Sequence, residues 1–214
     1  MSSRVSPPWK NLSVSLIMTT KKKQTNKLLK DMGAVITPVF YIFGFVAIVS
    51  AIIVCGFQWT TVIMALFLLL LAAAGASDVN KGIVPDLIPI AIAVLAIIKF
   101  TISGITLSGL ISCLLGAVCL SIPMLIVALL IKGGFGGGDI KLIAASGLFL
   151  GLDKTLIAGF IAFLLAGIYG IVLLLTKNKG PKAKIRFAPY LAIGCAFSGL
   201  FGDVLILIFK SFLR

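Results

Sequence analysis

The chain has 214 residues, 60% of them hydrophobic and only 12% charged, with a formal net charge of +13. Soluble domains carry about 25% charged residues, so a water-soluble globule is excluded, and the apolar runs reach the ~20 residues that a helix needs to cross a bilayer. The positive charge is not a nucleic-acid signal, because fifteen of the 19 Lys and Arg fall in 1–33, in 177–186 and at Lys81, Lys132 and Lys141, all beside apolar runs, the pattern of cytoplasmic loops and of attraction to anionic lipid headgroups.

In chain order, residues 1–33 read as a basic cytoplasmic tail and 34–214 as a single transmembrane domain. Hydropathy predicts an all-α bundle of about seven spans, the first over 34–56 and the second over 60–77, ending at Asp78. The third runs from Pro85 to Lys99, the fourth over 106–131, and a short fifth over 139–150. The sixth and seventh cover 155–176 and 188–210. Turn residues mark the breaks: Gly82 and Pro85, Gly151 to Asp153, and Lys177 to Pro181. Small residues recur within the spans, where they permit close helix approach.

With the basic amino terminus in the cytoplasm, the second, fourth and sixth spans all return there at Lys-bearing loops. Asp78 and Asp139 are then separated by two crossings and lie at the same, cytoplasmic, face. Intramembrane carboxylates are functional-site candidates, and these two can be brought together by helix packing. A close pair of carboxylates shares one proton, so an ionised member can take a proton from water while the protonated member polarises a carbonyl. Five glycines, Gly133, Gly134, Gly136, Gly137 and Gly138, precede Asp139 and allow a backbone or a peptide to approach closely. Read locally, Asp139 serves equally as a helix cap and Asp78 as an interfacial helix end. Pro85 and Asp86 fit the start of the third span. Lys141 points to another helix face than Asp139 and is expected at lipid headgroups. Asp203, far from this face, is expected to have a structural partner. All six acidic residues are Asp, with no Glu and no His, which removes Ser-His-Asp triads and most zinc sites. The four cysteines form no CxxC pair and sit in apolar stretches, so no metal, disulfide framework or cofactor is indicated.

These residues resemble a known family. Asp78-Val-Asn-Lys-Gly-Ile-Val-Pro-Asp86 and Gly136-Gly-Gly138-Asp139-Ile-Lys141-Leu look like the two aspartate motifs of type IV prepilin peptidases. Phe187-Ala-Pro189-Tyr-Leu-Ala-Ile-Gly194 is similar to their late Pro-containing segment. The resemblance covers about 60–205. It implies a membrane aspartyl endopeptidase with Asp78 and Asp139 as the catalytic pair, Gly136, Gly137 and Gly138 in the motif loop, and Pro85, Asp86, Lys141 and Pro189 in support. The implied substrate is a prepilin or prepilin-like secretion subunit, cut at its basic leader on the cytoplasmic face of the cell membrane. With no CxxC pair, the chain is expected to be without the cysteine-bearing domain of many bacterial members, resembles the compact Flp/Tad-type or archaeal preflagellin branches and is expected not to N-methylate its product. The alternatives are a proton-coupled transporter using the same carboxylates and an intramembrane protease of the presenilin type. The latter normally pairs Gly-x-Gly-Asp with a Tyr-Asp span, whereas Asp78 follows Ala-Ser.

Overall fold

The computed structural model describes residues 42, 45, 49, 59–131, 135–175 and 186–212. The basic tail, the loop positions 132–134 and most of the 177–186 cluster lie outside them, as does the first expected span apart from Ile42, Phe45 and Val49, which are helical. The described residues form six α-helices and no strand: α1 Trp59–Lys81, α2 Leu87–Ile102, α3 Leu107–Leu130, α4 Gly137–Leu150, α5 Leu152–Leu175 and α6 Ala188–Phe212. Four of them, α1, α3, α5 and α6, are long and apolar enough to cross a bilayer. Helices are what such sequences must form there, because hydrocarbon offers the backbone no hydrogen-bond partners. The protein is a multi-pass, all-α membrane protein. Large apolar side chains face outward along its perimeter, among them Leu114, Val118, Ile122, Leu125 and Leu129 of α3.

The short α4, 14 residues and about 21 Å long, is the axis of the bundle. It packs against α2, α3, α5 and α6, while α1 lies against α2 and α6. Its crossing with α3 is a glycine contact: a Cβ on Gly116 would meet the Gly147 carbonyl oxygen at 2.6 Å. Two backbones can meet this closely only without side chains. At its end Gly151, at φ 80°, donates to the Gly147 carbonyl and turns the chain directly into α5.

Two stripes of buried residues set the orientation of the helices that carry the aspartates. In α1, Ile63, Phe67, Leu71, Ala74 and Asp78 are buried at spacings of three and four, which is one face of a helix. In α4, Asp139, Leu142, Ile143, Ser146 and Phe149 follow the same rule. Each Asp therefore continues an apolar stripe. The helices run antiparallel, and Phe67 stacks on Phe149 with ring centroids 4.0 Å apart. Asp78 is eleven residues beyond Phe67 and Asp139 ten residues before Phe149, so at 1.5 Å per residue both lie about 15–17 Å from the stack. The aromatic pair thus holds the two acids at matching depth.

Candidate active site

α1 runs three residues past Asp78 to Lys81, beyond the end that hydropathy placed at 77, so Asp78 belongs to the last helical turn. Gly82 then takes φ 70° and donates its N–H to the Asp78 carbonyl at 2.8 Å, a glycine cap that closes the helix with a single bond. The chain turns back, and the Ser77 hydroxyl donates to the Ile83 carbonyl at 3.1 Å. Ile83 and Val84 are thereby folded beside Asp78.

Asp139 is not the cap of its helix. Gly136 occupies that position, and the Asp139 and Ile140 amides donate to its carbonyl at 3.0 and 3.3 Å. Asp139 stands in the first turn, where the helix dipole favours an anion. A Cβ on Gly136 would lie 3.2 Å from Asp139 Oδ2, and one on Gly138 would lie 3.0 Å from Val84 Cβ and 3.2 Å from its carbonyl oxygen. Glycine at 138 is what lets the two motif loops touch.

Asp78 and Asp139 are both buried, 5% and 8% exposed, while the surface around them is open. They line a single cavity of about 380 Å³ with Gly82, Ile83, Val84, Gly136, Gly137, Gly138 and Arg186. That volume falls in the ~300–1,000 Å³ range of ligand pockets. Of the supporting residues expected from sequence, Pro85 is exposed in the loop before α2 and its carbonyl accepts from the Ile88 amide at 3.1 Å. Asp86 stands at the start of α2 as expected, but its side chain makes no cap bond. It accepts instead from Lys141 Nζ at 2.8 Å, both side chains being largely exposed. Lys141 therefore binds the other motif loop rather than standing alone at the headgroups as expected. The pair ties the start of α2 to the start of α4. Pro189 is buried in the first turn of α6 and does not line the cavity.

Arg186 and Ser77 were missed by sequence reasoning. In the sequence Arg186 is one more charge in a basic loop; its place two residues before a buried helix start, and so at the membrane surface, is the available signal. Nothing in the sequence distinguishes Ser77 from other small residues of the span.

The arrangement holds two acids in a recess at one end of the bundle, walled by glycine backbone and lined by one arginine. It can admit a narrow extended chain and present it with acid–base groups.

A family model described as the type IV leader peptidase family matches residues 65–171, half of the chain. Among curated relatives, a protein of Bacillus subtilis (strain 168) named "Prepilin leader peptidase/N-methyltransferase" is 37% identical over 93 residues, 44% of this chain and 38% of its own length. One of the same name from Aeromonas hydrophila is 30% identical over 148 residues, 68% of this chain and 51% of its own length. Another of that name, from Aeromonas salmonicida (strain A449), is 42% identical over 72 residues, 34% of this chain and 25% of its own length. The chain thus spans about a quarter to a half of these relatives. No solved structure matches it.

Proposed function

The chain belongs to the type IV leader peptidase family, and we propose that it is a membrane aspartyl endopeptidase that removes leader peptides from prepilins or prepilin-like secretion subunits. The observation that carries the reading is that the two buried aspartates of the motif loops line one cavity. The curated relatives' printed names supply the substrate class.

In this reading Asp78 and Asp139 share one proton, since two like charges brought together do not both ionise readily. The ionised member takes a proton from water, whose oxygen bonds to the scissile carbonyl carbon while the protonated member polarises the carbonyl oxygen. The C–N bond then breaks and the leaving amine takes up a proton from the pair. Gly136, Gly137 and Gly138 form the wall along which the extended substrate passes. The Asp86–Lys141 pair and Pro85 hold the loop that carries Ile83 and Val84, and Pro189 fixes the start of α6. The cavity opens to the cytoplasm from the cell membrane, with the amino terminus and the basic loops at 132 and 177–186 on the same side beside anionic headgroups. The chemistry requires no metal and no cofactor.

Co-expression of the chain with a prepilin from the same genome tests the reading. The expected result is a size shift on a gel, with mass spectrometry of the product showing a new and unmethylated amino terminus. An uncut prepilin beside membrane-inserted protein overturns it, and pH-dependent flux through sealed vesicles without cleavage would favour a transporter instead.

A further inference from the structure

Arg186 is the one cation lining the cavity among the described residues, and three features of its setting call for an account. The first is anchoring. Phe187, the next residue, is buried with its ring edge-on to Phe135 at 5.2 Å and 5.3 Å from Phe163. Its carbonyl accepts from the Tyr190 and Leu191 amides, both at 3.1 Å, which starts α6. The backbone that bears Arg186 is therefore fixed one residue away, and the half-buried residue is held at the cavity wall.

The second is charge. A cation just ahead of a helix amino terminus sits at the positive end of the dipole, the unfavourable end for it. Arg186 therefore does not serve the stability of α6. The third is bonding. Two acids line the same cavity, yet among the described residues Arg186 makes no ion pair or hydrogen bond through its side chain. An arginine carries five N–H donors in a rigid fork. On a residue that lines the recess, those donors are available to whatever fills it.

We propose that Arg186 is a substrate-positioning residue, its guanidinium donating to a main-chain carbonyl oxygen of the bound peptide beside the bond to be cut. This rests on the peptidase reading above and extends it to a residue outside the aspartate motifs. Charge balance favours a neutral acceptor. A pair of acids holding one proton carries one negative charge, and among the described residues lining the cavity Arg186 carries the one positive charge, so a neutral peptide group adds no net charge to that lining. A substrate carboxylate at the same place would bring a second anion beside the pair. Arg186 orients the chain, and the chemistry stays with the acids.

The test uses the full chain in detergent with a prepilin substrate and three variants, Arg186→Met, Arg186→Gln and Arg186→Lys. Arg186→Met keeps the length but no donor, and its KM is expected to rise about tenfold or more with kcat within about threefold. Gln and Lys, each retaining donors, are expected to fall between Met and wild type. If the partner were a carboxylate, Gln would be as poor as Met and Lys close to wild type, which overturns the carbonyl assignment. In the Asp139→Asn background, where cleavage is blocked, a fluorescent substrate peptide should show the same ranking in Kd. An unchanged unfolding midpoint for Arg186→Met shows that the effect is not on the fold. Wild-type KM and Kd in Arg186→Met, or a collapse of kcat at unchanged KM, overturns the role of Arg186 while the peptidase reading stands. Failure of the wild type to cut the prepilin overturns both.

Discussion

The two ends of α4 differ in what their polar groups border. At the end near Phe149, polar groups bind other parts of the chain. Lys99 of α2 donates to the Phe149 carbonyl at 2.8 Å and lies over its ring, 4.4 Å from the centroid. Ser112 of α3 accepts from the Leu152 amide at 3.1 Å. Lys154 pairs with Asp203 at 2.7 Å, and Ser198 donates to the Lys154 carbonyl at 2.5 Å, which gives Asp203 the structural partner expected for it. At the other end the Asp86–Lys141 pair likewise joins two helix starts, but two acids and an arginine also line a cavity. The comparison teaches that a charge in a membrane bundle is not in itself a sign of chemistry. Lys99 and Asp203 are as unusual in composition as Asp78, but their bonds tie neighbouring helices together, whereas Asp78 and Asp139 border a space large enough for a ligand.

The comparison is broken most severely by removing an acid from the cavity. Asp78→Asn and Asp139→Asn should each lower leader cleavage by about 10³-fold or more with the protein still folded in the membrane, read as loss of the gel shift at equal expression. Near-normal processing by either variant would place the chemistry elsewhere. Gly138→Ala comes next. Its new methyl group presses on Val84, which must give by a few tenths of an ångström, so activity should fall several-fold, less than the ~10²-fold of a 1 Å misplacement. Val84→Gly in the same chain should restore part of it, and full activity in the single variant would show that the loops have slack.

At the distal end the expected effect is on stability and not on turnover. Lys99→Met leaves the Phe149 carbonyl without its donor, and about 1–3 kcal/mol is expected to be lost, visible as a lower unfolding midpoint at nearly unchanged kcat. A large loss of kcat would instead join that end to the reaction. The smallest effect is expected for Lys141→Ala. Its pair with Asp86 is largely exposed, so its removal should change stability by less than about 1 kcal/mol, with a few-fold change in KM measured at low and high salt.

The spans from 60 onward were legible to within a few residues because a run of apolar side chains has one solution in hydrocarbon, a helix. The largest difference lies at Asp78, three residues inside α1. Hydropathy ends a span where polarity begins, but a helix ends where its last carbonyls find other donors, and here Gly82 supplies one. The burial of both acids was not legible, because their helices are apolar on nearly every face and only packing shows that Asp78 and Asp139 continue buried stripes. Asp139 as a cap was not excluded by pattern; the Gly136 carbonyl excludes it, because the cap position is taken. Lys141 and Asp86 are 55 positions apart, and no local rule joins them.

What the amino-acid order determined by itself was a membrane-spanning helical bundle with an acid near one end of each of two helices, because the exclusion of polar groups from lipid acts within one segment at a time. What only the tertiary structure decided was that these acids stand at one depth around one hollow with Arg186 beside it. That depends on the Phe67–Phe149 stack, the glycine crossing of α3 and α4, and the touch of Gly138 on Val84. Each is a contact between distant segments, and its geometry exists only once the helices have packed.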